Sequence, residues 1–598
     1  METAPTTPTP CSIDLPSDKA AATIDQEGDL RLRKWPKPIR LKRSRVVLLL
    51  VACASGLLVG VIVGTNMVRA VPPPLPARRP TNVVFMVADG YGPASATLAR
   101  VLRARVYNPV VPKAEGDGVQ PLELDAFMTG QVHTRSADHL ITDSAAGASA
   151  WSCGRKTNNL FVAVDHLERP CATLMEAATA AGMATGVAVT SSVTDATPAA
   201  FAAHARRRSL ERSIALQLAS SGPDVLLGGG RRFFEEQQLL EPMQRERGYA
   251  YVRERAGLQA ATSAPLLGLF AKHDLPYEVR DDRAACVCVQ ARAIPPRLTC
   301  SFAPRQIDRT PETEPSLAEM AAKALQLLSA EGRGFFLLVE GSKIGTAASA
   351  NDAAAHVREV LAFDEAVGVV LRWAQRDGQT LVVATADHET GGLSLGRGVV
   401  SDDQVAEAPL RTRALAAEAR GTVEAASDYD ADVLTGVTMS AEALTAAALA
   451  EHGNPPAAAL AANSTLRRSL IISLTVRLQG AARLGLLERQ ELALLREAVD
   501  LFGSLGAYGV QRAVGAVVSS RAKLGWSTFG HTGEDVTLHA VGPGSERLRG
   551  TMDNSELGRR IERIMGWDLD KLTAELAPPA ISQLDRDDPV TAGFASWR

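Results

Sequence analysis

NVVFMVAD, residues 82–89, is an unbroken apolar run closed by a carboxylate, Asp89, and followed by Gly90. A short apolar run bounded by a turn signal suits a strand buried on both faces. An amphipathic helix would show polar positions at regular intervals. GFFLLVEG (334–341) repeats the pattern and ends on Glu340, and TLVVATADHETGG (380–392) repeats it again and delivers Asp387 and His388. Helical stretches, such as 172–181 and 357–376, lie between these runs. Strands alternating with helices predict an α/β fold, with a central, mostly parallel sheet flanked by helices on both faces. In such sheets ligands gather outside the carboxyl ends of the strands. Acids brought to one edge repel one another unless a cation sits among them. Asp89, Glu340 and Asp387, with His388 attached, therefore predict a metal site.

Working outward, LITDSAAGASAWSCGRKT (140–157) sets Ser144 after Asp143 and before a run of small residues. Such a run packs as a tight turn into a helix. The Ser144 hydroxyl is then expected at a helix N-terminus, where unpaired N–H groups and the dipole favour an anion such as phosphate. Taken alone, the Asp-Ser pair reads more readily as an ordinary N-cap, and serine is a weak nucleophile until something activates it. VTSSVTDATPAAFAAHARRRS (189–209) adds Asp195, Thr197 and three arginines. A carboxylate and a hydroxyl suit Mg²⁺, and arginine suits a bidentate grip on phosphate. The plain alternative for Arg206 to Arg208 is a solvated helix face, which two of the three are expected to form. GGGRRFF from Gly228 lacks the lysine-serine end of a phosphate loop and reads as a turn.

The chain has 598 residues, 46 % hydrophobic and 22 % charged, with a formal net charge of −3. That balance describes a globular protein and gives no support for a nucleic-acid partner. Basic residues crowd the segment from Arg31 to Arg45, and VVLLLVACASGLLVGVIVG (46–64) then runs without a charge. The pattern predicts a disordered basic cytosolic tail (1–45), an N-terminal transmembrane anchor (46–68) and a Pro-rich stalk (69–80). Basic residues before the span predict a single-pass type II membrane protein with its catalytic domain lumenal or extracellular. Of seven cysteines, Cys153, Cys171, Cys286, Cys288 and Cys300 would lie in that oxidising space, with their pairing open. Residues 401–520 turn to Ala, Leu, Glu and Arg with helical periodicity and read as a helical insertion. GWSTFGHTGEDVTLHAVGPG (525–544) returns to strand composition and brings His531, and 568–598 reads as a loose C-terminal tail.

Taken together, NVVFMVADGYGPAS, LITDSAAGASAWSCGRKTNN, VTDATPAAFAAH, PLLGLFAKHDLPYE, GFFLLVEGSKI, NDAAAHVREVLAFDEAV, VVATADHETGGL and HTGEDV resemble the alkaline phosphatase family. The resemblance is strongest to the membrane-anchored vacuolar members of fungi. It implies a phosphatase domain over 81–567, a vacuole-like compartment and a possible homodimer. It also implies hydrolysis of small phosphate monoesters with two Zn²⁺ ions and one Mg²⁺. By the same resemblance Ser144 is the nucleophile that becomes phosphoserine. Arg208, by its spacing from Thr197 with His204 between, binds phosphate oxygens. Asp89 would bridge one zinc and the magnesium. Asp387 and His388 would complete the serine-activating zinc, and Thr197 and Glu340 the magnesium site, supported by Asp195. His531 would serve the other zinc.

One loop departs from the family. Beyond the glutamate the family carries isoleucine-aspartate and, four residues later, histidine, whereas this chain has Gly345 and Ser349. Glycine has no donor, and a serine hydroxyl is a poor zinc ligand beside imidazole or carboxylate. Only His531 of that zinc's ligands remains, since Asp352 and His356 fall at or within the following helix. An impaired phosphatase is therefore expected, slow above all in releasing phosphate from the serine. The alternatives are a membrane-tethered pseudo-phosphatase that binds phosphoesters without turnover, and a related metal-dependent phosphodiesterase or sulfatase-like enzyme. The Ser144 context and the set Asp89, Thr197 and Glu340 argue against the last.

Overall fold

The computed structural model describes residues 79–107, 119–278, 308–396 and 429–576, together with the backbone of a few short strands elsewhere. The chain divides into two units, residues 1–76 and 77–598. In the first, Thr23–Ile24 pairs antiparallel with Leu30–Arg31. The second is built on one ten-stranded sheet. Its strands are β1 (Asn82–Val87), β2 (Met128–His133), β3 (Ala184–Ser192), β4 (Val225–Gly229), β5 (Ala250–Val252), β6 (Leu266–Leu269), β7 (Phe335–Glu340), β8 (Thr380–Thr385), β9 (Val536–Val541) and β10 (Gly550–Asp553). They lie in the order β10-β2-β9-β8-β1-β7-β3-β4-β6-β5. Only β9 runs antiparallel to its neighbours, β8 and β2.

The apolar runs form strands because both of their faces are covered. Phe335 and Phe336 are adjacent on β7 and so point to opposite faces. Phe335 meets Trp373 of α6 (Ala353–Asp377), ring centroids 5.3 Å apart. Phe336 meets Phe201 of α3 (Ala196–Ala202) at 5.9 Å. On the α3 side, Phe85 of β1 also packs 5.3 Å from Trp151 of α2 (Ser144–Cys153). Every residue of β1, β7 and β8 is buried. Removing one such ring, as in Phe336→Ala, costs about 3–5 kcal/mol. The remaining helices used below are α1 (Pro93–Tyr107), α4 (Leu317–Ala330) and α5 (Lys343–Ser349). The helical segment that follows supplies α7 (Ala441–Glu451), α8 (Ser464–Gly480), α9 (Arg489–Asp500) and α10 (Phe502–Arg521), and α11 (Asn554–Met565) closes the fold. Residues 401–428 of the expected insertion, and 577–598 of the tail, lie outside the described residues. Leu569–Glu575, placed in the tail by sequence, is a helix with Leu569 buried. Cys153 is bonded to Cys171, a pairing that sequence left open.

The membrane expectations need correction. The anchor at 46–68, nearly all of its stalk and all of its tail but the strand pair Thr23–Ile24 and Leu30–Arg31 lie outside the described residues. Among the described residues no helix is long and apolar enough to cross a membrane. A span needs about 20 helical residues with almost no charge. The 25-residue α6 is long enough but carries Arg358, Glu359, Asp364, Glu365, Arg372 and Arg376. The expected N-terminal transmembrane helix is thus not part of the described fold, and the type II topology, the lumenal or vacuole-like location and the membrane as a partner, which rested on it, find no support there. Nor is an interface with a second copy evident among the described residues, so the possible homodimer finds no support there either.

Candidate active site

Register decides what the sheet delivers to its edge. Thr385 of β8, Val87 of β1, Glu340 of β7 and Val189 of β3 lie side by side on four parallel strands. Asp387-His388 and Asp89, just beyond these positions, therefore converge with Glu340 at one end, and Asp195 joins them from the turn between β3 and α3. The ligand atoms of Asp89, Asp387 and His388 lie within 4.8 Å of one another, and among the described residues they are the cluster suited to a metal ion. His388 Nε2 is 3.1 Å from Asp387 Oδ2 and 3.9 Å from Asp89 Oδ1.

Helix α2 brings the serine to the same place. Asp143 caps the helix, its Oδ1 accepting from the Ala146 and Leu160 amides at 3.0 Å each. That cap sets Ser144 as the first helical residue, nearly buried, with Oγ 3.1 Å from His388 Nε2. The small residues that follow are needed because the helix runs against the tip of β8: a Cβ on Gly147 would come 3.3 Å from Asp387 Cβ. Arg208 reaches across to Asp195 Oδ1 (3.0 Å) and Asp143 Oδ2 (3.4 Å), which aims its guanidinium at the region in front of Ser144. Arg206 and Arg207 are exposed, and Arg206 pairs with Glu168.

The electrostatics call for a cation. Burial, then Asp387, Glu340 and Asp195, push the Asp89 carboxyl well above its usual range, with Arg208 opposing. Burial pushes Glu340 up to about 8 despite hydrogen bonds from Ser342 and Thr197. Burial also works against the charge on Asp387, but His388 and then His531 override it and hold that carboxyl down to about 2. Asp89 Oδ1 and Asp387 Oδ2 are buried and accept no hydrogen bond. Acids this enclosed either keep protons or share a divalent ion, and orphaned oxygens beside an imidazole fit the second case.

The other side of the pocket is poorer in donors. The Thr142 carbonyl accepts from His531 Nδ1 at 2.9 Å, leaving Nε2 uncommitted, and the ring stacks on His388 with centroids 3.4 Å apart. Burial and the neighbouring His388 lower its pKa to about 4. A Cβ on Gly345 would sit 2.5 Å from Asp89 Oδ1, so a larger residue there requires Asp89 to move. Asp352 is spent capping α6, accepting from the Ala355 and Ala441 amides. His356 is held by Ser95 Oγ (2.8 Å) and the Ile344 carbonyl (3.0 Å). Neither is free to act as a ligand at 345 or 349.

An alkaline phosphatase family model matches residues 80–567. The chain belongs to the alkaline phosphatase family. It is 31 % identical over 541 residues to an alkaline phosphatase of Schizosaccharomyces pombe, covering 86 % of this chain and 87 % of that one. It is also 31 % identical over 604 residues to the repressible alkaline phosphatase of Saccharomyces cerevisiae, covering 94 % and 93 %. Among solved structures it is similar to a cold-active alkaline phosphatase from Shewanella, with a TM-score of 0.61, 29 % identity, and 81 % and 99 % of the two chains covered. The Thermus thermophilus alkaline phosphatase matches with the same TM-score, 0.61, at 26 % identity, covering 82 % and 92 %. As an alkaline phosphatase the chain is a metal-dependent phosphomonoesterase. The narrower reading of a membrane-anchored, vacuolar form is not supported, because it rested on the anchor now withdrawn. Sequence reading also missed three supports of the site: the Asp143 contact to Arg208, the Ser342 hydroxyl donating to Glu340 Oε2 at 2.7 Å, and the Thr142 carbonyl orienting His531. A carboxylate next to the serine was the one available signal.

Proposed function

We propose that the chain hydrolyses phosphate monoesters through a phosphoserine at Ser144, and that it does so slowly. Zn²⁺ would be held by Asp387 and His388, and Mg²⁺ by Asp89, Thr197 and Glu340 with Asp195 beside them. Bound there, these cations would favour the serine alkoxide and offset charge on the phosphoryl group. The observation that carries the reading is Ser144 Oγ at the N-terminus of α2, 3.1 Å from His388 Nε2. The Arg208 fork, braced by Asp195 and Asp143, would grip two phosphate oxygens and orient phosphorus toward that Oγ. A bond from Oγ to phosphorus forms as the ester P–O bond breaks, and the alcohol leaves with a proton. Water then cleaves the phosphoserine. The catalytic domain is taken as 81–567, with 401–520 inserted.

Slowness is inferred from Gly345 and Ser349. With neither position supplying a donor, the residues present do not fit a second zinc, and His531 alone would hold one weakly. The test uses the full chain: bound zinc and magnesium are counted, hydrolysis of an aryl phosphate is followed at alkaline pH, and Ser144 is assayed for phosphate after acid quench. One firmly bound zinc with a burst of phosphoserine and slow release is the expected result. Two zincs with no burst would overturn the slowness. No labelling and no hydrolysis, with phosphate still bound, would return the binding-protein reading.

A further inference from the structure

Tyr508, Arg512, Gly515 and Ser519 fall at intervals of four, three and four along α10 and so share one face. Three of them are committed to the end of α5 and the turn that follows it. The Tyr508 hydroxyl donates to the Ser349 carbonyl at 2.9 Å, and Ser519 Oγ donates to the Asn351 carbonyl at 2.8 Å. The helix approaches so closely between them that a Cβ on Gly515 would come 2.8 Å from the Ala350 carbonyl oxygen. Arg512, in the middle of the stripe, is left over. Its guanidinium carbon lies 4.3 Å from the centre of the Tyr508 ring and 4.1 Å from that of Phe529. Among the described residues it forms no ion pair, and its Nε is buried without an acceptor. Both flanking rings remain 41 % exposed.

The position of this cation gives it a use. Phe529 stands two residues before His531, whose ring stacks on His388, and Tyr508 stands on Ser349. The arginine therefore sits at the rim of the pocket on the side formed by Gly345, Ser349 and His531. An arginine clamped between two rings has already lost most of its rotamer freedom, so it binds an anion at small entropic cost. Within the pocket, Asp143 and Asp195 pair with Arg208. None of the acids contacts Arg512.

We propose that Arg512 is a specificity-determining residue that binds a second oxyanion, carried on the alcohol part of the phosphate monoester. This rests on the phosphomonoesterase reading above. A matched pair of substrates tests it: 4-(carboxymethyl)phenyl phosphate and its methyl ester, whose leaving groups differ in charge but little in basicity. The native chain is expected to prefer the carboxylate by about tenfold in kcat/KM at low salt, mostly through KM, with the preference shrinking as salt rises. Arg512→Met is expected to remove the preference, and Arg512→Lys to restore part of it, since charge returns without the stacked fork. A purely structural role would change both substrates alike and would not respond to lysine. Direct binding of the two compounds to Ser144→Ala reads the same ratio without turnover. Equal affinities there, or a preference that survives Arg512→Met, would overturn the proposal. Absence of hydrolysis of both compounds by the native chain would instead count against the phosphomonoesterase reading.

Discussion

On one side of the pocket, Asp89, Glu340, Asp387 and Asp195 stand at the ends of four adjacent parallel strands. On the other, Gly345 and Ser349 stand on the short helix α5, with α10 bonded to Ser349 and Asn351, and His531 opens a two-residue strand paired with Glu389–Thr390. Positions on the first side follow from sheet register, which the fold cannot change without breaking backbone pairing. Positions on the second are held by packing that ignores what the side chain can ligate. Glycine at 345 even relieves crowding against Asp89. The lesson is that strand register fixes where the acids stand, whereas nothing in the packing of the second side requires a donor at 345 or 349.

The largest effect expected is from Ser144→Ala. It should leave the fold unchanged, abolish phosphoenzyme and lower kcat by about 10³ or more, as read by labelling and steady-state rates. Wild-type labelling elsewhere in the chain would break the assignment. Arg208→Ala, also tied to the intact side, should cost about 10²-fold in kcat/KM and weaken inhibition by inorganic phosphate. Lysine should recover little, because it cannot span two oxygens.

The depleted side is probed by restoring it. Gly345→Asp with Ser349→His should raise zinc content and speed turnover by about tenfold. Gly345→Asp alone should gain little, because one added carboxylate without an imidazole at 349 still leaves zinc weakly held. If the pair adds zinc but no rate, the two sides do not differ in the way described.

The smallest effect concerns stability. Without metal, burial raises Glu340 to about 8 and lifts Asp89 in the same direction. A carboxyl raised in the folded state binds protons more tightly there than when unfolded. Its stabilisation is then present at low pH and lost as pH rises from about 4.5 to about 8. The chelated protein should therefore melt several degrees lower at pH 8.5 than at pH 5.5. The metal-loaded protein should lack that fall, and equal slopes in the two states would dissolve the argument for a cation among the acids.

Much of the strand side was legible in advance. NVVFMVAD, GFFLLVEG and TLVVATAD are local patterns, and each became a strand with its acid at the tip. The loop side was legible only as missing donors. Spacing placed Asp352 and His356 at the following helix, but that Asp352 also accepts from Ala441 and His356 bonds Ser95 could not be read from it, because those partners come from other segments. The run at 46–64 marks another limit: hydropathy and length are read directly, while topology is not.

By itself the sequence determined which segments are buried on both faces and which carry acids at their ends, since hydrophobic pattern and chain order are local properties. The tertiary structure alone decided that Ser144 meets His388, 244 residues away, that Thr142 orients His531, 389 away, and that Tyr508 settles on Ser349, 159 away. It also chose Cys171 as the partner of Cys153 and turned Arg208, not its exposed neighbours, toward the serine. Such contacts form only once sheet register and helix packing have closed long loops, and their cost is met by the buried core as a whole.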